Sequence, residues 1–159
     1  MNSTPVLNSH SSLRPILIVE DNDMDLDFCL QAFTEHSVAN PVIACRDGEE
    51  ALQFMDAHAT PADPQLPLLV LLDLRLPKVD GIEVLRHARQ RPVWNQIPFI
   101  VVTTSRENSD ISRAYELGVN SYIVKPVEFS SFTEVVKRIK LFWILTNEPP
   151  FPERTGRGP

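Results

Sequence analysis

Short, unbroken apolar runs recur along the chain: Ile16 to Val19, Val42 to Cys45, Leu68 to Leu72, Phe99 to Val102 and Tyr122 to Val124. Runs without polar alternation suit strands covered on both faces rather than strands with one wet face. Between them lie segments whose apolar residues follow helical spacing, among them Met24, Phe28 and Phe33; Ala51, Leu52 and Met55; Ile82, Leu85 and Ala88; and Ile111, Ala114 and Leu117. Five alternations of strand and helix predict an α/β fold, a five-stranded parallel sheet with right-handed crossovers and helices on both faces. Ligands of such sheets bind outside the carboxyl ends of the strands.

Turn-forming residues set the expected boundaries. Asp47 and Gly48 end the second strand, Gly81 opens the third helix, Gly118 closes the fourth and Pro126 stops the fifth strand. The segment Ala59 to Pro67, with three prolines, reads as a surface loop. Residues 1–14 hold little that could be buried and are expected to be a disordered tail, with order beginning near Pro15. The domain then covers 15–145, and 146–159 form a Pro-rich tail, helical pattern being lost from about Phe142.

Composition narrows the function classes. A chain of 159 residues with 43% hydrophobic and 23% charged residues fits one soluble globular domain. A formal charge of −6 argues against nucleic acid or an anionic membrane as partner. No apolar run approaches a membrane span, and Met1 to Arg14 lacks the order of a signal peptide, so a cytoplasmic location is expected. Cys29 and Cys45 are read as reduced apolar packers, and His10, His36, His58 and His87 as scattered surface residues.

The chemistry sits at the strand ends. Glu20 and Asp21 stand where the first run stops and Asp73 where the third stops, so the three carboxylates should converge at one sheet edge. Two ionised carboxylates about 4 Å apart repel by roughly 4 kcal/mol at an effective dielectric of about 20, so a cation or retained protons must compensate. Oxygen ligands without His or Cys suit Mg²⁺. Thr103 and Lys125, at the ends of the fourth and fifth runs, are placed to meet phosphate oxygens. A nucleotide site would need a Gly-rich first loop, and Glu20-Asp21-Asn22-Asp23 would repel phosphates instead. The plainer alternative makes these acids ordinary helix caps in βα loops.

Glu20-Asp21, Asp73, Thr103 and Lys125-Pro126, in this order at strand ends, resemble the pattern of response-regulator receiver domains over roughly residues 15 to 140. The resemblance implies a CheY-like, flavodoxin-like doubly wound sheet of order 2-1-3-4-5. It implies Asp73 as a phosphoacceptor promoting its own phosphorylation and dephosphorylation, and Mg²⁺ held by Glu20, Asp21, Asp73 and the backbone carbonyl of Arg75. Lys125 would pair with the phosphoryl group, with Thr103 and Tyr122 as the switch, although Tyr122 reads equally well as a plain core aromatic. Arg75 and Ser105 would flank the attacking water or simply be exposed loop residues. Glu20 stands where many receivers carry Asp, which bears on metal affinity.

The apolar segment Leu141 to Leu145 either folds back over the sheet edge or forms a patch buried by a second protomer. With Asn147-Glu148-Pro149-Pro150 it resembles the small response regulators that serve phytochrome histidine kinases. That narrower resemblance implies a sensor histidine kinase, specifically a phytochrome, as partner. It also implies a homodimer through the fourth helix, fifth strand and fifth helix, with Phe142, Trp143 and Leu145 at the contact. The expectation is a single-domain response regulator that signals by protein contacts. The alternatives are an Mg²⁺-dependent phosphohydrolase, which wants a second Asp where Arg75 stands, and a non-phosphorylated receiver scaffold.

Overall fold

A computed structural model describes residues 13–151. The elements alternate as expected: β1 Ile16–Val19, α1 Asp23–Glu35, β2 Val42–Cys45, α2 Gly48–Ala57, β3 Leu69–Leu72, α3 Gly81–Arg89, β4 Phe99–Thr103, α4 Asn108–Glu116, β5 Ser121–Val124 and α5 Phe129–Ile139. All neighbouring strands pair in parallel, in the order β2-β1-β3-β4-β5.

In β1, β3 and β4 the unbroken apolar runs are explained by cover on both faces. Contrary to expectation, the edge strands β2 and β5 are largely half-buried, because each has a neighbour on one side only. Leu17, Val19, Val70, Leu72, Phe99 and Val101 point into one core with Ala51 and Met55 of α2, Leu85 and Ala88 of α3 and Ala114 of α4. Ile16, Ile18, Leu69, Leu71, Ile100 and Val102 point into the other, against Cys29 and Phe33 of α1 and Phe132, Val136 and Ile139 of α5. Trp94, fully buried beneath the first face, donates its indole N–H to the carbonyls of Met55 at 3.1 Å and His58 at 2.8 Å, which satisfies the polar edge of a large apolar side chain.

Three helices start on side-chain caps: Asn22, Asp47 and Asp80 accept from the amides of Asp25, Glu50 and Glu83. Asp47 and Gly48 therefore open α2 rather than merely ending β2. Met24 is 64% exposed, not core-facing, because the stripe of α1 that packs on the sheet is Leu26, Cys29, Ala32 and Phe33, and Met24 lies off it. The last helix outruns its expected end: α5 continues as a π-helical turn over Lys140–Ile144.

The domain edges also differ from expectation. Arg14, placed in the tail by the sequence, is buried and donates to the carbonyls of Phe151 and Asp63, each at 3.1 Å, while its own carbonyl accepts from Asn40 at 2.8 Å. Phe151 in turn packs against the first core. The remaining tail residues, 1–12 and 152–159, and with them His10, lie outside the described residues. His58 and His87 are half-buried partners of Asp63 and Asp56, His36 is half-buried at the end of α1, and both cysteines are buried free thiols. Among the described residues no helix is long and apolar enough to cross a membrane.

Gly81 fixes the geometry after β3. A Cβ there would stand 2.3 Å from the Asp73 carbonyl oxygen and 2.5 Å from the Leu74 Cα, so α3 can begin against this backbone only without a side chain. Gly81→Ala is expected to destabilise the fold by about 2–3 kcal/mol, read as a lower urea midpoint with unchanged slope.

Candidate functional site

The carboxyl ends of β1, β3, β4 and β5 carry Glu20, Asp73, Thr103 and Lys125. Parallel pairing in register brings them together: Val19 lies beside Leu72, and Thr103 beside Val124. Carboxylate oxygens of Glu20, Asp21 and Asp73 lie within 4.8 Å of one another. Glu20 and Asp73 are buried while Asp21 is exposed, so the cluster has a closed floor and an open side. None of these three is a helix cap, those positions belonging to Asn22, Asp47 and Asp80.

Asp73 is fully engaged. Its Oδ1 accepts from the Thr103 hydroxyl at 2.9 Å and the Arg75 amide at 3.1 Å, and its Oδ2 accepts from Lys125 Nζ at 2.9 Å. The same ammonium donates to Glu20 and to Asp25, the latter at 2.7 Å. Lys125 is thus the compensating cation that the crowded acids demand. Arg75 turns its guanidinium away from Asp73, to Asp110 on α4 at 2.9 Å. Asp110 also accepts from the Ser105 hydroxyl at 2.5 Å. Tyr122 donates its hydroxyl to the Ser105 carbonyl at 2.9 Å, two residues beyond Thr103.

Burial and charge pull the two buried acids apart. Burial pushes the Glu20 carboxyl up to about 7, helped by the Asp73 charge and opposed by Lys125. Burial works on Asp73 too, but the hydrogen bond and charge of Lys125, with the Arg75 amide, hold it below its ordinary value. Lys125 is raised because Asp25, Glu20 and Asp73 outweigh its burial. Their surroundings thus favour the charged form of Asp73 and disfavour that of Glu20, two acids pulled in opposite directions within one cluster.

Sequence reasoning missed Asp25 and Asp110. Asp25 carried a usable signal, since it stands four residues before buried Cys29 and seven before buried Ala32, on the core-facing stripe of α1. Asp110 had none, because its role arises from how α4 lies beside the Arg75 loop.

Known proteins agree with this geometry. The family described as response regulator receiver domain matches residues 16–137. The chain is 40% identical over 137 residues to the Probable methanogenesis regulatory protein FilR2 of Methanothrix harundinacea, spanning 86% of this chain and 88% of that protein. Response regulator Rcp1 of Synechocystis is 36% identical over 131 residues, covering 82% and 89%. The crystal structure of its Mn(2+)-bound form superposes with a TM-score of 0.77 at 35% identity, covering 86% of this chain and 98% of that one. The crystal structure of the phosphorylated cyanobacterial phytochrome response regulator RcpA superposes with a TM-score of 0.80 at 38% identity, covering 87% and 99%.

The Glu20 shift has a sign that can be measured. With its carboxyl at about 7 against an ordinary 4.5, the folded protein keeps a proton that the unfolded chain has lost. Stability in chelator should fall, by on the order of 3 kcal/mol, as pH rises from about 4.5 to about 7 and level off above. The depressed Asp73 acts only at lower pH, where its contribution is lost as acid protonates it. Denaturant titrations of Glu20→Gln should show that slope removed.

Proposed function

The chain belongs to the response regulator receiver domain family, and on that footing we propose that Asp73 accepts a phosphoryl group from a sensor histidine kinase, specifically a phytochrome, with Mg²⁺ at the acid cluster. The observation that carries this reading is the buried Asp73 held between Thr103, the Arg75 amide and Lys125. Glu20, Asp21, Asp73 and the backbone carbonyl of Arg75 would hold the cation, an all-oxygen donor set that fits Mg²⁺. When bound, the ion neutralises charge on the transferring phosphoryl group.

The chain's own residues do the rest. An Asp73 carboxylate oxygen attacks phosphorus, a P–O bond forms as the P–N bond to the kinase histidine breaks, and the leaving imidazole nitrogen keeps the electron pair and takes a proton. Lys125 turns its ammonium to the phosphoryl oxygens, whose charge replaces the one it now meets on Asp73. Thr103 gives up Asp73 Oδ1 for a phosphoryl oxygen, and because Tyr122 hangs on the Ser105 carbonyl, that displacement reaches Tyr122 through two residues. Thr103 and Tyr122 therefore form the switch, which biases a two-state element by the difference in its bonds between the two states. Ser105 and Arg75, linked through Asp110, line the water's approach and set the lifetime of the acyl phosphate. A phosphohydrolase would want an acid where Arg75 stands, and that side chain is an ion-pair partner of Asp110 instead.

The output is a protein contact. Phe142 and Leu145 are 53% and 65% exposed beyond α5, and Trp143 packs edge-to-face on Phe142 at 4.9 Å while resting half-buried against the second core. Ile123, Val135, Ile139, Phe142 and Trp143 line a groove along β5 and α5. This apolar surface favours a homodimer through α4, β5 and α5, in which Phe142 and Leu145 meet the partner and Trp143 supports them. The family chemistry and acidic surface fit action in the cytoplasm without nucleic acid.

Incubation with Mg²⁺ and a small acyl-phosphate donor should add one phosphoryl group to the wild type by intact mass and none to Asp73→Asn. An Asp73→Asn variant that is modified as fast as wild type would remove Asp73 from the role. Light scattering should give a dimer mass for wild type and a monomer mass for Leu145→Asp. A wild type that stays monomeric in both phosphorylation states rules the dimer out.

A further inference from the structure

The mechanism above leaves one part-buried contact unused. The Lys125 side chain is only 8% exposed, and its ammonium meets three carboxylates: Glu20, Asp73 and, at 2.7 Å, Asp25. Glu20 and Asp73 belong to the group whose oxygens gather within reach of one cation, and Asp25 does not. Asp25 comes from the first turn of α1, where its amide is held by the Asn22 cap at 3.0 Å, so a capped helix rather than a loop places its carboxylate. Its acidic neighbours Asp23 and Asp27 are exposed, whereas Asp25 is half-buried on the stripe that leads to Cys29.

We propose that Asp25 is a positioning residue for Lys125, the carboxylate that keeps the ammonium at the mouth of the site when Asp73 and Glu20 are engaged by the phosphoryl group and the cation. This rests on the reading of Asp73 as phosphoacceptor. A lysine ammonium is a freely turning rotor of three donors on a flexible stem. Once two of its three partners are drawn into other bonds, Asp25 is the one of the three left to hold its direction while it meets the phosphoryl oxygens. Tethering α1 to the end of β5 also joins the element after Glu20 to the strand that leads into α5.

The direction of the effect separates positioning from simple charge. If Asp25 merely competed for Lys125, its removal would free the ammonium and strengthen anion binding. If it positions Lys125, removal weakens anion binding although a negative charge has been taken away.

The test uses the full chain with beryllofluoride as phosphoryl mimic in Mg²⁺, followed by calorimetry, beside Mg²⁺ alone and the rate of phosphorylation by acetyl phosphate. Asp25→Ala is expected to weaken beryllofluoride binding and slow phosphorylation by about tenfold, while the affinity for Mg²⁺ alone changes by less than about threefold. Asp25→Asn, which keeps an acceptor for Lys125, is expected to recover most of the loss and guards against an alanine variant that fails to fold. In a Lys125→Ala background, Asp25→Ala should have no further effect. Asp25→Ala binding as tightly as wild type, an asparagine variant as weak as alanine, or a loss that persists without Lys125 overturns the proposal. A wild type that takes neither beryllofluoride nor a phosphoryl group brings down the phosphoacceptor reading itself, whereas a modified wild type matched by Asp25→Ala removes only the role of Asp25.

Discussion

One ammonium carries the electrostatics of this fold. Lys125 is buried among carboxylates that arrive from β1, α1 and β3, and without it those acids would face one another at the edge of a dry sheet. The sheet order makes the arrangement necessary: β1 and β3 pair in register, so the residues after them cannot avoid each other. Burial pushes Glu20 up to about 7, while Lys125 and the Arg75 amide hold Asp73 below its ordinary value. A pair so divided puts two carboxylates of opposite tendency within the same few ångströms.

The rest of the site is organised around Asp73 in layers. Thr103 and the Arg75 amide hold one of its oxygens, and Gly81 allows α3 to press on the backbone that presents it. Farther out, Arg75, Ser105, Asp110 and Tyr122 form a chain of polar contacts from the β3–α3 loop to β5. Rearrangement at Asp73 therefore has a continuous set of bonds along which to reach the α4 and β5 surface. The exposed Phe142 and Leu145 continue that surface beyond α5.

Much of this was written in the sequence, for identifiable reasons. Strands covered on both faces leave unbroken apolar runs, and the residues that stop each run fall by construction on one edge, so Glu20, Asp73, Thr103 and Lys125 could be read together. What the sequence hid depends on rotation or on distant partners. The exposure of Met24 follows from which stripe of α1 packs, Leu26, Cys29, Ala32 and Phe33, a choice that the apolar count alone leaves open. Arg14 looked like tail because its partners, Asp63, Leu66 and Phe151, are remote in sequence and accept through backbone carbonyls that no side-chain pattern reveals. The extra turn at Lys140–Ile144 is anchored by Trp143 and Ile144 on the second core, a tertiary contact that outweighs weak local helix preference.

The position of Lys125 on the edge strand also has a history in the making of the molecule. Chains emerge from synthesis amino end first, so the acids of β1 and β3 exist before the strand that balances them. Glu20 and Asp73 follow strands that pair with each other, whereas Lys125 follows β5, which reaches them only by pairing with β4. The charge balance of the site is therefore complete only when the last strand has joined the sheet.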